Sequence, residues 1–300
     1  MSQISEVNKK RMTASIVIEE AIFEFILSRQ AMYCTESTVR GYRYHLGKFT
    51  EYLGNEKIMD VSGIQAKHVR GFLFGMRERG LSDSYIHIFA RNIKTFMRFL
   101  VEEDYREKIF KITMPKIAKK KLLVLDAEEL KNLINRTTSI RNQAIVMVLA
   151  DTGVRKSELL SLNWGDIDLQ RGNVTVRSGK GRKFRSVVLG AKSRRVLLIY
   201  RRTVNHNDED PLFHNQKGNR LTGSGIQSIF YRMRQSTGIY VTPHALRRTF
   251  ATLSLRAGMN VLHLQGLLGH STLEMTRRYV QMTDSDYYEA HRKYGPVDNL

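Results

Sequence analysis

The chain has 300 residues, 42% of them hydrophobic, and this length and composition suit about two domains, each with a sizeable core. Its 49 Lys and Arg residues outnumber its 29 Asp and Glu residues and give a formal net charge of +20. This surplus exceeds what solubility requires, so it predicts a polyanionic partner, most simply nucleic acid, rather than a basic surface without such a partner.

A membrane protein and a disulfide-stabilised protein are both disfavoured. The longest apolar run, from Ala144 to Ala150, is far shorter than the roughly 20 residues of a membrane-spanning helix. Near the N-terminus, acidic residues interrupt the apolar stretch that a signal peptide needs. The single cysteine, Cys34, cannot form an intrachain disulfide and is expected to be a small buried side chain. We expect the protein to work in the cytoplasm.

Residues 13–104 predict a bundle of four helices. Four stretches repeat apolar residues every three or four positions, and Ser or Gly residues separate them. Basic residues on the polar faces suit contact with DNA phosphates, although a solvated surface is the alternative for each one taken singly. These residues are Arg40, Arg43, Lys48, Lys67, Arg70, Arg91, Lys94 and Arg98.

Residues 105–123 predict a basic linker. The segment contains Pro115, one of only four prolines, and a cluster of lysines, and both features are typical of an extended connection between domains. A linker of this kind can follow a DNA backbone from one domain to the next. The lysines are Lys116, Lys119, Lys120 and Lys121.

A second domain is expected over residues 124–300. Asp126 and Glu129 have the spacing of a capping box at the start of its first helix. A buried helix that ends at Gly153 follows, and then a β-hairpin over about 167–189 and further helices. This order predicts a mixed α+β domain with a small sheet.

Arg155 and Glu158 are the first of four local signals for chemistry in this domain. Arg155 follows the helix-ending Gly153, and Glu158 lies three residues later on the same helical face. A carboxylate that orients a guanidinium makes a phosphate clamp, because the planar guanidinium can bind two phosphate oxygens at once. An ordinary surface ion pair is the alternative for this pair alone.

The hairpin carries a lysine at its predicted tip. Apolar residues alternate on both sides of a Gly-Lys-Gly turn, which places Lys180 between the two strands. A mobile lysine there can reach a DNA groove and donate a proton to a departing oxygen. Lys183 is a second candidate, and simple phosphate contact is the alternative for either lysine.

His244 and Arg247 are predicted on one face of a helix, close to its start. Thr242 has the position of an N-cap, and Pro243 that of the first helical residue. The positive end of the helix dipole favours an anionic ligand at this place. A surface histidine beside a salt-bridged arginine is the alternative.

His270 lies at a break between two helices, nine residues before Tyr279. Met275, Tyr279 and Met282 have helical spacing, so a core position is the alternative for this tyrosine. A histidine in a break can point to a place that the following helix also lines, so both side chains can converge on one phosphate. Two Arg, one Lys, two His and a Tyr form a set that suits phosphoryl transfer without a metal ion.

The order of these motifs resembles the tyrosine recombinase family, also called phage-type integrases. Each motif is loose by itself, but their order and intervals are specific. The stretches "TGVRKSEL", "GKGRKFR" and "LGHSTLEMTRRY" are especially similar to Xer-like recombinases and to integrases of mobile elements. The resemblance rests on Arg155, Lys180, "HALR" from His244 to Arg247, "LGH" ending in His270, and Tyr279.

The resemblance implies a mainly helical fold of two domains that form a C-shaped clamp around duplex DNA. The N-terminal domain would be a helical, SAM-like core-binding domain, and the C-terminal one an α+β catalytic domain with a small antiparallel sheet. Tyr279 would attack the scissile phosphate to give a 3'-phosphotyrosine and a free 5'-hydroxyl, and the 5'-hydroxyl of a partner strand would reverse the step. Since the protein link keeps the bond energy, neither ATP, a metal nor another cofactor is required.

The resemblance also assigns the supporting groups. Arg155 and Arg247 would hold the non-bridging oxygens of the phosphate, and His270 would donate a hydrogen bond to it. Lys180 would protonate the leaving 5'-oxygen, and His244 would assist proton transfer. We therefore expect these five side chains to surround one phosphate.

Further expectations concern the surroundings of the catalytic set and the assembly. Glu158 would orient Arg155, and Arg248 stands where many relatives have histidine, next to the catalytic set. Most family members act as four protomers on DNA with specific recombination sites, and the C-terminal tail, residues 284–300, would dock on a neighbouring protomer. A need for a partner recombinase or an accessory factor is left open.

Three other functions are alternatives to site-specific recombination. A type IB topoisomerase-like relaxing enzyme would share the chemistry, but the separate helical domain and the motif order favour recombination. A catalytically inactive DNA-binding regulator should have gaps in the catalytic set. A metal-dependent nuclease is disfavoured because no acidic cluster accompanies His244 or His270. Integration, excision, transposition and resolution remain equally open as the biological task.

Overall fold

The chain divides into two compact units, Met1–Lys120 and Lys121–Leu300. Within the described residues both units are mainly helical, and the second adds a two-stranded antiparallel sheet, as the sequence predicts. A computed structural model describes residues 16–117, 122–177, 184–204 and 206–270, together with 272, 288, 291–293 and 297.

The first unit contains the four predicted helices. Side chains cap two of them: the Thr35 hydroxyl accepts a hydrogen bond from the Thr38 amide at 3.4 Å, and that of Ser82 accepts one from the Tyr85 amide at 3.3 Å. The helices are α1 (Ile18–Ala31), α2 (Glu36–Asn55), α3 (Ala66–Glu78) and α4 (Asp83–Glu102).

An aromatic core holds the first unit together. Helix α4 buries Ile86, Phe89, Ile93, Phe96 and Leu100, which follow one another at steps of three and four residues, so one face of the helix is continuously apolar. The same core takes up the start of the segment that the sequence predicts as a linker, since Ile112 is buried in it and Tyr105 and Phe110 pack against it. Cys34 is only partly buried at its edge.

The second unit begins with the predicted capping box. The Asp126 carboxylate accepts a hydrogen bond from the Glu129 amide at 2.8 Å, and that of Glu129 accepts one from the Asp126 amide at the same distance. The described elements are α5 (Ala127–Arg136), α6 (Ile140–Thr152), α7 (Lys156–Ser161), β1 (Asn173–Arg177), β2 (Phe184–Val188), α8 (Ala191–Arg201), α9 (Gly223–Thr237), α10 (Pro243–Arg256) and α11 (Val261–Leu268).

Helix α6 lies at the centre of this unit. Its residues from 144 to 149 are all buried, and the helix contacts both α8 and α10, which agrees with a stretch that is apolar all round. Strand β1 pairs antiparallel with β2, from Asn173 opposite Val188 to Arg177 opposite Phe184. The tip of this hairpin, residues 178–183, lies outside the described residues. None of the described helices is long and apolar enough to cross a membrane.

Gly153 ends α6 in a way that only glycine permits. Its φ angle is +62°, in the left-handed region that costs residues with a Cβ atom free energy. A Cβ atom at this position would lie 2.4 Å from a ring carbon of Phe250 and 2.9 Å from a methyl carbon of Leu268. The main chain of α6 therefore comes close to both α10 and α11 at this residue.

Replacement of Gly153 by alanine should lower the free energy of unfolding by roughly 3 kcal/mol, because left-handed strain and a steric clash add together. Gly238 is the matched control, since it ends α9 at a φ angle of +74° but has open space within 4 Å of the place that a Cβ atom would take. Gly238→Ala should cost only the strain, about 1 kcal/mol. Urea unfolding measures both losses, and equal losses would contradict the steric argument.

Candidate active site

The start of α10 carries His244 and Arg247 one turn apart. The Thr242 hydroxyl caps the helix by accepting a hydrogen bond from the Ala245 amide at 3.1 Å, and Pro243 is the first helical residue, as predicted. His244 is exposed, whereas Arg247 is only 2% exposed. Arg247 is therefore an interior arginine and not the partner in a surface ion pair.

The Arg247 guanidinium joins three parts of the chain. Nη1 donates a hydrogen bond to the Gly153 carbonyl at 2.5 Å, and Nη2 donates one to the Leu268 carbonyl at 2.7 Å. Nη2 also lies 2.8 Å from Nε2 of His270. Because a guanidinium can only donate, Nε2 is the acceptor and the neutral His270 ring carries its proton on Nδ1.

Arg155 lies beside this group, at the N-cap of α7. Its amide donates a hydrogen bond to Oε2 of Glu158 at 2.7 Å, and its Nη1 donates one to Oε1 at 2.8 Å. Nη2 donates a further hydrogen bond to the Gly269 carbonyl at 3.2 Å. The Glu158 side chain is 8% exposed and that of Arg155 is 40% exposed, so a buried carboxylate holds a guanidinium that reaches solvent.

Arg185 is a member of the cluster that we did not predict. It lies on β2, and its Nη1 and Nη2 donate hydrogen bonds to the two oxygens of Glu158 at 2.8 and 2.7 Å. Its Nε donates one to the Leu267 carbonyl at 2.8 Å. A signal was present in the sequence: Arg185 alternates with exposed residues and shares the inward face of β2 with buried Val187, and an inward charge needs a partner.

Three arginines therefore end on three successive carbonyls at the end of α11. Arg185 binds Leu267, Arg247 binds Leu268, and Arg155 binds Gly269, which turns the chain at a φ angle of +62°. Carbonyl groups at a helix C-terminus lack partners within the helix and carry its negative partial charge, so they attract cations. The next residue is His270, whose position is fixed by these contacts.

The cluster lowers the pKa of both its carboxylate and its histidine. Burial alone would raise the pKa of Glu158, but hydrogen bonds from Arg185 and Arg155 lower it to about 2. Burial, together with the charges of Arg247, Arg155 and Arg185, lowers the pKa of His270 to about 4. At neutral pH the cluster thus contains three guanidinium groups, one carboxylate and a neutral imidazole, a balance that favours an anionic ligand.

His244 lies in the same positive environment. Partial burial and the charges of Arg248, Arg247 and Arg155 lower its pKa below the usual value for histidine. Its ring is therefore neutral at neutral pH and able to accept a proton. Arg248 itself donates a hydrogen bond from Nε to the Leu123 carbonyl at 3.0 Å.

Other residues predicted from the sequence belong to the first unit or lie outside the described part of the chain. Arg40, Arg43, Arg91 and Lys116 are exposed in the first unit, and Arg40 forms a 2.7 Å ion pair with Glu36. No group of three or more His, Cys, Asp or Glu side chains in the described ranges is placed to hold a metal ion. Tyr279, Lys180, Lys183, Lys119, Lys120 and Lys121 lie outside the described residues.

The lowered pKa of His270 predicts a loss of stability in mild acid. As the pH falls, the unfolded ring takes up a proton near pH 6.5 and the folded ring only near pH 4, so the free energy of unfolding decreases through this window. The decrease should be on the order of 1–3 kcal/mol between pH 7 and pH 4. His270→Gln keeps an acceptor for Arg247 without titrating, so its unfolding free energy, measured with urea, should decrease less. Parallel pH profiles of the two proteins would contradict the assignment.

Comparison with known proteins agrees with this geometry. Residues 123–286 match the model of the phage integrase family. The chain is 34% identical over 278 residues to the tyrosine recombinase XerC of Oceanobacillus iheyensis, an alignment that covers 87% of this chain and 91% of that protein.

Solved structures show the same fold. XerH, a site-specific recombinase solved with its difH substrate in a pre-cleavage complex, matches with a TM-score of 0.67 and 26% identity over 88% of this chain and 81% of that one. A lambda integrase dimer bound to a COC' core site matches with a TM-score of 0.73 and 16% identity, over 95% and 83% of the two chains. The assignment made from the motif order is confirmed. The chain belongs to the phage integrase family of tyrosine recombinases and is a site-specific DNA recombinase.

Proposed function

We propose that this recombinase cuts and rejoins duplex DNA through a covalent link to Tyr279, with the arginine cluster at the end of α11 as the phosphate site. The meeting of Arg155, Arg247 and His270 carries the proposal. The two arginines come from separate segments and bind carbonyls at one helix end, and His270 follows that helix end and contacts Arg247. These contacts hold positive charge in place at one point of the unit, and positioned positive charge is what phosphoryl transfer requires from a protein.

Phosphate binding divides between the two arginines and the histidine. Arg155 is 40% exposed and already oriented by Glu158, so it can receive a non-bridging oxygen directly. Arg247 is 2% exposed, so its guanidinium must become more accessible when DNA binds if it is to contact the phosphate. His270 is neutral, and the proton on its Nδ1 makes it a hydrogen-bond donor that adds no charge.

Two proton movements accompany cleavage. The Tyr279 hydroxyl loses its proton as its oxygen bonds to phosphorus, and His244, whose pKa is lowered, is the neutral base that assists. The bond to the 5'-oxygen breaks, and that oxygen keeps the electron pair and takes a proton from Lys180 or from its rival Lys183. In the second step the oxygen of a 5'-hydroxyl bonds to phosphorus and returns its proton to the lysine. The bond to the Tyr279 oxygen breaks, and that oxygen keeps the electron pair and regains its proton from His244, so a DNA strand is restored.

Duplex DNA with specific recombination sites is the proposed partner of both units. The net charge of +20 and the exposed arginines of the first unit support contact with many phosphates. In the second unit, a cleft of about 390 Å³ opens beside His244 and is lined by Lys156, Tyr231 and Arg234 among others. The residues proposed to bind DNA are Arg40, Arg43, Arg91, Lys116, Lys119, Lys120, Lys121 and Lys183.

We further propose a tetramer on DNA, in which each C-terminal tail docks on a neighbouring protomer. The proposal has its support in the family membership and in the length of chain that follows Tyr279. An enzyme that acts on DNA in this way is expected to work in the cytoplasm. Neither a relaxing topoisomerase nor an inactive regulator is favoured, since the relatives named above are recombinases and integrases and all catalytic residue types are present.

The role of Tyr279 as the nucleophile is tested by trapping the covalent intermediate. A binding site is first selected from a random duplex library, and a nicked version of that duplex is then incubated with the protein in EDTA. The wild type should form an adduct that survives denaturing electrophoresis, and Tyr279→Phe should abolish the adduct while DNA affinity is retained. Tyr288→Phe is the matched control, because Tyr288 is an exposed tyrosine of the tail, and it should form the adduct normally.

Two outcomes would overturn the proposed reaction. The first is an adduct that persists in the Tyr279→Phe variant, which would place the nucleophile elsewhere. The second is the absence of any adduct from the wild type on the selected duplex, in which case the protein binds its site without cleaving it.

The tetramer is tested by shortening the tail. A variant that ends at residue 286 should still bind one duplex, because it keeps the residues of the cluster, but it should not form the complex of four chains and two duplexes. Mass photometry of protein mixed with the selected duplex distinguishes these species. A four-chain complex formed equally well by the shortened variant would exclude tail exchange as its basis.

A further inference from the structure

Arg185 directs all of its recorded hydrogen bonds into the cluster. Its two terminal nitrogens contact the two oxygens of Glu158, and its Nε contacts the Leu267 carbonyl. The side chain is 14% exposed, compared with 40% for Arg155, and it packs against Gly269, where a Cβ atom would lie 3.1 Å from its Cδ. Arg185 thus lies behind the arginine that reaches solvent.

Glu158 connects Arg185 to Arg155, because its carboxylate binds both arginines. Oε1 of Glu158 accepts hydrogen bonds from Nη1 of both arginines, each at 2.8 Å. A two-pronged contact fixes the plane of the carboxylate, and this plane then determines where the Arg155 guanidinium lies. Without Arg185, the carboxylate would be held only by Arg155, through its amide and its Nη1, and would lose the contact that joins it to β2.

The strand position of Arg185 links the hairpin to the cluster. Arg185 is the second residue of β2, and Lys183 precedes this strand directly in the sequence. Strand β2 also contacts α11, the helix whose end receives the three arginines. Arg185 therefore connects three parts of the chain. It lies on the strand that follows the candidate acid lysines, it binds the carboxylate that holds Arg155, and it binds the segment that precedes His270.

We propose that Arg185 is a positioning residue for DNA cleavage, which acts through Glu158 and the end of α11 and does not contact the DNA. This role rests on the proposed function, since the step that it supports is attack by Tyr279. It differs from the roles of Arg155 and Arg247, which bind the phosphate itself. Arg185 contributes to the rate of cleavage and not to DNA affinity.

Lysine cannot replace arginine in this role. An ammonium group supplies positive charge but no planar pair of donors, so Arg185→Lys loses the fork to Glu158 and the contact with Leu267. Displacement of a catalytic group by about 1 Å can lower a rate 100-fold. Both Arg185→Lys and Arg185→Gln should therefore slow cleavage by roughly 10-fold to 100-fold when all DNA is bound.

Arg177 provides the matched control. It lies on β1 of the same sheet and forms an ion pair of 2.8 Å with Asp166, whose side chain is 4% exposed. Both arginines are strand residues that pair with a buried carboxylate, but none of the contacts recorded for Arg177 is with the cluster. Arg177→Gln should change thermal stability without slowing cleavage of bound DNA.

The experiment measures three quantities for each variant. The first-order rate of adduct formation is measured on the nicked duplex at saturating protein, DNA affinity by fluorescence anisotropy, and the thermal midpoint by circular dichroism. The expected result is a 10-fold to 100-fold loss of rate for both Arg185 variants, with affinity within about 2-fold of the wild type. Arg177→Gln should retain the wild-type rate.

A double variant separates positioning from general support of the fold. If Arg185 acts through Glu158, the variant with Glu158→Gln and Arg185→Gln should be little slower than Glu158→Gln alone, because the second change breaks a link already lost. Fully additive losses would overturn the role, as would Arg185 variants that cleave bound DNA as fast as Arg177→Gln. If Arg185→Gln does not fold, Arg185→Lys, with its charge retained, decides the question by the same criterion.

Adduct formation by the wild type distinguishes failure of the positioning role from failure of the proposed function. An adduct in the wild type with no effect of Arg185 would overturn only the positioning role. No adduct in the wild type would overturn the proposed function and this role with it.

Discussion

Three guanidinium groups that end on three successive main-chain carbonyls at the C-terminal end of α11 are the constraint on which the catalytic unit depends. The arginines come from β2, from α10 and from the turn before α7, so the contacts bring three distant segments to one helix end. Each segment is shaped for this meeting: Gly153 lets α6 stop beside α10, and Gly269 turns the chain after α11. The same contacts therefore determine both the packing of the unit and the geometry of its site.

The same contacts control the charge of the site. Glu158 stays ionised because two arginines donate to it, and His270 stays neutral because arginines surround it. A buried carboxylate and a buried histidine would each be costly alone, but together with the arginines they form a network in which each recorded donor has an acceptor. The outcome is a group of positive charges held in place by the protein, as the proposed phosphate site requires.

Local features of the sequence predicted much of this protein. The four helices of the first unit, the capping box at Asp126, the helix end at Gly153 and the Thr242 cap all follow from spacing within about ten residues, and the structure contains them. The contacts that build the site could not be predicted in this way. Arg247 and Gly153 are 94 positions apart, and no periodicity connects them.

Arg185 shows why the site was incomplete when judged from the sequence. The other site residues belong to recognisable motifs, whereas Arg185 lies within a strand, two residues after Lys183. Its inward orientation becomes informative only when the register of β2 is known, since Phe184 and Ser186 face out and Arg185 and Val187 face in. A single-residue shift of that register would have reversed the conclusion.

The use of main-chain oxygens at the end of α11 constrains how this family member can change over generations. The arginines bind the main-chain oxygens of residues 267 and 268 and not their side chains, so the contacts depend on where the main chain runs. Insertion or deletion of one residue within α11 changes this path, because it rotates every later carbonyl by about 100° and moves it by about 1.5 Å. All three arginines would then lose their acceptors at once, so the contacts hold α11 to a fixed length.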